Sequence, residues 1–394
     1  MKFEELTINK KLIEKTHEEG YGELTLIQEK CLPAIIKGND VVGQAETGSG
    51  KTVAFCLPIL DKITPRNGIQ ALVLTPTREL CVQVMNVFKD FGTQLKIKTI
   101  SVYGGVSISN QIKNLPSADI VCGTPGRMLD HLNRGTIDFS PIKFLVLDEM
   151  DKMFDMGFIK DVEKIISYVP RERQTLMFSA TISYEVHRIM NRHLKNPVIV
   201  KTRSQVDTTK LKQVYYDIYQ QNNKFSLLSH LLKHSTPGLA IVFCGTRTES
   251  DIVAMNLKRQ GINALAIHGG MSQHSRSKSL DALKNETTDV LVATDVAARG
   301  LDIKNVTHVY NYDVPPTPKE YTHRIGRTAR AGENGDAVTL LTERDHDNFR
   351  RVQSNKELNI IKAQMPHFEK VSFIRRSRPQ KRQFKRQRHY YHRR

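Results

Sequence analysis

Asp40-Val-Val-Gly-Gln-Ala-Glu-Thr-Gly-Ser-Gly-Lys-Thr52 is the stretch that decides the fold. A short apolar strand runs into a glycine-rich loop, and a helix begins at the Lys-Thr pair. The phosphate-loop pattern G-x-x-x-x-G-K-[ST] is met at every position but the first, where Ala45 stands. Its working parts are present. Gly48 and Gly50 allow close backbone approach, Lys51 reaches β- and γ-phosphates, Thr52 reaches a metal, and the helix N-terminus favours anions. Further on, Phe144-Leu-Val-Leu147 reads as a buried strand ending in Asp148-Glu-Met-Asp151. Asp148 is placed to hold Mg²⁺ through water, and Glu149 to orient an attacking water. Acids here can also cap a helix, but a cap needs one acid, not a cluster. Far downstream, His323-Arg-Ile-Gly-Arg-Thr-Ala-Arg330 offers the complementary positive charge. That separation puts the two halves of one ATP site on different domains, the layout of a motor or a switchable clamp.

Working outward, residues 41–200 alternate short strands with helices. Gln70-Ala-Leu-Val-Leu-Thr75, Asp119-Ile-Val-Cys and Thr175-Leu-Met-Phe are apolar runs of buried-strand type, and Arg78 to Phe91 has helical periodicity. Such runs predict a mainly parallel α/β sheet. The pattern fades in a polar stretch after Asn196-Pro197, then a second series begins. Its strands are Leu239-Ala-Ile-Val-Phe-Cys, Ala264-Leu-Ala-Ile, Asp289-Val-Leu-Val-Ala, His308-Val-Tyr-Asn-Tyr and Ala337-Val-Thr-Leu-Leu. Two sheets of similar size suggest two related lobes, although no short sequence repeat is visible.

The chain has 394 residues, 39% hydrophobic content and a net charge of +18. No run approaches the ~18 apolar residues of a membrane span, and no signal pattern opens the chain, so a cytoplasmic protein with no membrane partner is expected. Cys31, Cys56, Cys81, Cys122 and Cys244 lack metal-type spacing and read as buried free thiols. Residues 370–394 carry +11 of the net charge, with Phe384, Tyr390 and Tyr391 interleaved. From Ser372 onward apolar residues are scarce, which predicts a disordered basic tail suited to a polyanion.

Taken together these residues resemble the DEAD-box family of ATP-dependent RNA helicases, within helicase superfamily 2. The resemblance covers residue 1 to roughly residue 355. Gly20-Tyr-Gly-Glu-Leu-Thr-Leu-Ile-Gln28, with Phe3 upstream, is similar to the adenine-reading Q motif. Pro76-Thr-Arg-Glu-Leu80, Gly104-Gly105, Thr124-Pro-Gly-Arg127, Ser179-Ala-Thr181, Val242-Phe-Cys-Gly-Thr246, Gln273-His-Ser-Arg276 and Ala293-Thr-Asp-Val-Ala-Ala-Arg-Gly-Leu-Asp302 follow in the family's order.

The resemblance implies two RecA-like α/β lobes. The first spans 1–200, a linker 201–211, the second lobe 212–365, and a disordered basic tail 366–394. It implies ATP and Mg²⁺ as cofactors. Nucleotide contacts fall to Phe3, Tyr21, Thr25, Gln28, Ala45, Glu46, Thr47, Gly48, Ser49, Gly50, Lys51, Thr52 and Asp302, and metal contacts to Thr52 and Asp148. Lys51, Glu149, Arg327 and Arg330 become catalytic, the last two as arginine fingers. Asp151, Ser179, Thr181 and His323 become the coupling set. Pro76, Thr77, Arg78, Gly104, Gly105, Thr124, Pro125, Gly126, Arg127, Thr246, Gln273, Arg276 and Thr294 become RNA contacts. The implied function is ATP-dependent unwinding of short RNA duplexes and remodelling of RNA–protein complexes, such as ribosome assembly intermediates, by a monomer.

Three residues depart from the family pattern: Met150 for alanine, Leu24 for proline and Ala329 for glycine. Methionine predicts crowding beneath the metal site, at about 1–3 kcal/mol if nothing adjusts. Two other readings stay open at this point. One is a DNA translocase of the same superfamily. The other is an RNA-binding or annealing protein in which Met150 has broken the coupling.

Overall fold

The computed structural model describes residues 1–46, 48–202, 211–236, 238–285, 287–298, 303, 305–328 and 334–375. The first lobe contains β1 (Val41–Gln44), β2 (Ala71–Leu74), β3 (Thr99–Val102), β4 (Ile120–Gly123), β5 (Phe144–Leu147), β6 (Gln174–Ser179) and β7 (Val198–Lys201). The second contains β8 (Leu211–Asp217), β9 (Leu239–Phe243), β10 (Ala264–Ile267), β11 (Val290–Ala293), β12 (Val306–Asn311), β13 (Gly335–Leu341) and β14 (Ile361–Lys362). The sheets run β3-β4-β2-β5-β6-β1-β7 and β10-β11-β9-β12-β13-β8-β14. All pairings within them are parallel. Counted within each lobe, the two strand orders are identical. The duplication that leaves no visible trace in sequence is complete in topology.

Successive strand residues alternate between two cores. Val41, Ala71, Val73 and Val146 enter one apolar cluster on the first sheet, and Val42, Leu72, Leu74 and Leu147 enter the other. The second sheet divides Ala240 and Val242 from Ile241 and Phe243 in the same way. Burial on both faces explains the unbroken apolar runs. The strands that the sequence did not announce lie at or next to sheet edges. In β7, Val198 and Ile199 are exposed, so its composition carries little burial signal. All five cysteines are buried free thiols. No helix among the described residues is long and apolar enough to cross a membrane.

Both expected boundaries need correction. Lys201 closes β7 and Leu211 opens β8, so the linker shrinks at each end; residues 203–210 lie outside the described ones. The tail expected from residue 366 is ordered at least to Arg375. Phe368, Val371 and Phe373 pack on the core of the second lobe, with the Phe373 ring 4.9 Å from Phe225. Asn256 donates to the Ile374 carbonyl (3.0 Å) and accepts from its amide (2.9 Å), and the Val371 amide donates to Ser226 (3.1 Å). Sparse apolar residues suffice here because they dock on an existing core instead of building one. The basic run 376–394 lies outside the described residues.

Phe373 is only half-buried, so Phe373→Ala should cost about 1–3 kcal/mol, below the 3–5 kcal/mol of a fully buried phenylalanine. Chain 1–375 should melt like the full protein, and chain 1–365 several degrees lower. Equal melting of the two truncations would contradict the docked segment.

Candidate active site

The phosphate loop leaves β1 at the C-terminal edge of the sheet, where open α/β folds place ligands. Gly50 caps the helix Lys51–Lys62 with φ 91° and ψ 15°, a conformation that needs glycine. A Cβ there would stand 2.6 Å from Gln28 Nε2 and 2.9 Å from Thr25 Oγ1. Those two side chains stitch the loop in place. Thr25 Oγ1 donates to the Ser49 carbonyl (2.8 Å), and Gln28 Nε2 to the Gly50 carbonyl (3.1 Å). Gln28 Oε1 accepts from the Thr25 amide (2.9 Å). One amide hydrogen and one lone pair of Gln28 remain for a base. Ser49 bonds back to the Glu46 carbonyl (2.8 Å). Buried Lys51 folds over the loop and donates to the Ala45 carbonyl (2.8 Å), where its ammonium faces the phosphate position. Thr47 lies outside the described residues.

Phe3 corrects an expectation. It is wholly buried, edge-on to Tyr21 at 6.3 Å, so it supports Tyr21 from behind and has no face for a base. Tyr21 keeps part of its surface.

β5 delivers the acids. Asp148 is fully buried, and burial pushes its carboxyl up to about 6 against the pull of Lys51. A buried carboxyl poised to ionise suits Mg²⁺ held mainly through water and phosphate, with the half-buried Thr52 hydroxyl as the second candidate contact. Among the described residues no group of three or more His, Cys, Asp or Glu could hold a metal ion. Glu149 takes φ 52° and ψ 51° at the head of the helix Met150–Asp155. Its Oε1 lies 2.6 Å from Lys152 Nζ, a residue that motif reading missed.

The coupling residues of the first lobe interlock. The Asp151 amide donates to Ser179 Oγ (3.2 Å), and Ser179 Oγ to the Thr181 carbonyl (2.7 Å). Asp151 Oδ2 accepts from the Thr181 amide and hydroxyl, both at 3.2 Å. The loop is tied in as well, through the Ala45 amide to the Ser179 carbonyl (3.0 Å) and Gln44 to the Ala180 carbonyl (3.3 Å). Met150 sits fully buried in one cluster with Met153, Met177, Val186 and Ile189. The larger side chain is absorbed by flexible neighbours, and the links beside it stand intact.

The second lobe closes over this edge. Arg327 is buried, and its charge lowers the Lys152 pKa from across the cleft. Its neighbour Arg324 has a different task. It grips Asp295 with Nε (2.6 Å) and a terminal nitrogen (2.7 Å), and donates to Asn311 Oδ1 (3.1 Å). This buried fork fixes the helix Pro318–Ile325, which carries His323, against the short helix Asp295–Ala298. His323 and Arg327 line one small cleft with Asp295 and Glu320. Arg330 and Asp302 lie outside the described residues. Among the described residues, the ion pairs Arg276–Glu79 (2.9 Å, both buried) and Lys319–Asp155 (3.1 Å) join the lobes.

The RNA candidates lie in loops and at helix starts of both lobes. Thr77 caps the helix Arg78–Gly92, and Pro76 is buried behind it. Arg78 lies directly over Gly105, where any Cβ would strike the guanidinium. Thr124 heads the helix Pro125–Asn133 without using its hydroxyl as a cap, and Gly126 beside it is exposed. Arg127 instead donates to the Val106 carbonyl (3.1 Å) and Gln111 (2.9 Å), bracing the loop after Gly104. Thr246 caps the helix Arg247–Arg259. Gln273 opens the helix Gln273–Lys284, and Thr294 follows β11. A cavity of about 950 Å³ lies between the lobes here and not at the phosphate loop. Glu79, Gln83 and Tyr103 line it from one side and Gln273, Ser277 and Leu280 from the other.

Residues 25–189 match the DEAD/DEAH box helicase family, and residues 223–332 the helicase conserved C-terminal domain. The chain is 43% identical, over 94% of its length and 75% of the relative's, to the ATP-dependent RNA helicase CshA of Limosilactobacillus reuteri. A DEAD box protein from Methanococcus jannaschii is 37% identical with a TM-score of 0.55, covering 92% of this chain and 99% of that one. The S. cerevisiae Dbp5 structure bound to RNA and ADP BeF3 is 29% identical with a TM-score of 0.83, covering 92% and 95%.

The loop that presents Thr246 rests on a second charged cluster. Asp313 Oδ2 accepts from the Gly245 amide (2.8 Å), and Asp313 pairs with Lys224 (3.3 Å) and Arg344 (2.7 Å). Burial, then the adjacent Asp313, pushes the Glu249 carboxyl from 4.5 up to about 7. A carboxyl raised on folding weakens the fold as pH climbs from its unfolded value through its folded one. Stability should therefore fall between about pH 4.5 and 7. Glu249→Gln should remove on the order of 1–2 kcal/mol of that fall, allowing for partial exposure. Urea unfolding at pH 5 and pH 8 measures it; an identical pH slope in the variant would contradict the buried acid pair.

Proposed function

This chain is a member of the DEAD/DEAH-box helicase family, an RNA-dependent ATPase and ATP-dependent RNA helicase, and we propose that it works as a clamp closed jointly by ATP and single-stranded RNA. The observation that carries this reading is the direct meeting of the two lobes through Arg276–Glu79 (2.9 Å) and Lys319–Asp155 (3.1 Å), with Arg327 buried on the second lobe. The catalytic charge is assembled only when the lobes meet.

In this reading Lys51 and the loop amides hold the β- and γ-phosphates, and Gln28 reads adenine. Thr52 and Asp148 would hold Mg²⁺, which would supply positive charge against the charge developing on the phosphates. Glu149 orients the attacking water. Arg327, with Arg330, stabilises the transferring phosphoryl group, a task worth roughly 10³–10⁵ in rate in related systems. Asp302 contacts the ribose. Arg78, Gly105, Thr124, Gln273 and Thr246 run along the RNA backbone, which positions a strand without reading its sequence. Arg127 and Arg276 act through the protein, the first bracing a loop and the second joining the lobes. Asp151 Oδ1 is a buried acceptor without a hydrogen-bond partner, and it suits a charge-assisted contact with His323 on closure. Closure bends the bound strand and separates short duplexes, and hydrolysis resets the clamp. The intact Asp151–Ser179–Thr181 links beside Met150 support a working helicase over an uncoupled annealer.

ATP hydrolysis should rise strongly with single-stranded RNA and little with DNA of the same sequence, and Lys51→Ala should abolish it. Equal stimulation by DNA would favour the translocase reading, and RNA binding without hydrolysis would favour the annealer.

The basic run 376–394 serves in this reading as a tether for structured RNA. Its removal should weaken RNA binding and flatten the salt dependence, since phosphate-contacting cations set that slope. Unchanged affinity and slope in chain 1–375 would exclude the tether.

A further inference from the structure

Lys152 is the buried group in the cleft to which the proposed chemistry gives no task. It follows Glu149 by three positions on the helix Met150–Asp155, so the two side chains face one another. The ion pair is short, 2.6 Å, and its members are only 5% and 3% exposed. Burial drives the Lys152 ammonium toward neutrality, Glu149 resists this, and Arg327 adds to it. Lys51 stands in the same electrostatic neighbourhood, and Asp148 feels both lysines. A buried ammonium among other cations costs several kcal/mol unless a carboxylate holds it. Stability alone gives no reason for a lysine here.

Glu149 has its own constraint. Its φ of 52° puts a non-glycine residue in the left-handed region, and its side chain does not cap the helix it heads. An unrestrained carboxylate at a helix N-terminus turns back toward the free amides. Here it is pinned to Lys152 instead.

We propose that Lys152 is a positioning residue for hydrolysis, holding the Glu149 carboxylate in the one orientation from which it aligns the attacking water. This rests on Glu149 being the water-orienting group. Lys152 touches no reacting atom; it acts by restricting its partner, as outer-shell residues do elsewhere. Arginine keeps the charge and reach, whereas methionine keeps only the shape.

The test is a double-mutant cycle on the full chain, read as single-turnover and steady-state ATP hydrolysis with saturating single-stranded RNA. Lys152→Met should lower kcat roughly tenfold or more with KM for ATP changed by less than about twofold. Lys152→Arg should restore most of the rate. On a Glu149→Gln background, Lys152→Met should produce no further loss, because the group it positions is gone. Melting temperature and affinity for a fluorescent ATP analogue control for folding, with Lys152→Gln as a second neutral variant. An equal loss on both backgrounds would mean that Lys152 acts on phosphate directly and would overturn the proposal. A raised KM with unchanged kcat, or an unchanged kcat in both neutral variants, would overturn it too. Normal hydrolysis by Glu149→Gln would instead remove the water-orienting assignment beneath it. A dead Glu149→Gln beside a normal Lys152→Met would sink only the role of Lys152.

Discussion

Three carboxylates buried at the end of one strand govern this molecule. Asp148, Glu149 and Asp151 are almost without solvent, and unpaired buried charge is among the costliest features a fold can carry. The first lobe answers locally. Lys152 pairs with Glu149, Lys51 lies close to Asp148, and Asp151 binds Thr181 through one oxygen. Those answers are incomplete and crowd positive charge at the same edge. An incoming polyphosphate with its metal changes the balance, and so does an arginine from a second lobe. In the proposed clamp, nucleotide binding and lobe closure would answer the same electrostatic need.

The two lobes share a strand order but divide the work. In the first, the C-terminal edge of the sheet presents a phosphate loop, two acids and a serine–threonine link, all joined by short hydrogen bonds. A displacement at the phosphates is therefore felt at Ser179 and Thr181 without any long lever. In the second, the corresponding edge is a rigid mount. Arg324 locks a helix to Asp295 and Asn311, and the helix holds Arg327 at the cleft. The lobes meet through Lys319–Asp155 near the acids and Arg276–Glu79 beside the inter-lobe cavity. In the proposed clamp, fastenings near both the nucleotide and the RNA candidates would give each ligand a hold on the same closed state, the requirement for mutual cooperativity.

Much of the architecture was legible because its signals are local. Doubly buried strands must be apolar at every position, so β1, β2, β5 and β11 stand out in the sequence. Edge strands face solvent on one side, and β3, β7 and β14 do not stand out. The docked segment Phe368–Phe373 escaped because its burial depends on a surface made by distant helices, not on its own composition. Phe3 could not be told from a base-stacking ring until its burial was known. The arginines divide likewise: the protein groups that Arg324, Arg127 and Arg276 hold are not written in the motifs that contain them.

The amino-acid sequence by itself determined the two α/β lobes, the phosphate loop, the acids after β5 and the family. Each of these is written in residues adjacent along the chain, where backbone geometry and burial period leave a direct pattern. Only the tertiary structure decided which buried charges face one another. It set Lys152 on Glu149, Arg327 over the cleft, Arg276 on Glu79 and Asn256 on the final described strand of chain. The physical reason is that a charge finds its partner through space, across lobes whose meeting no local pattern encodes.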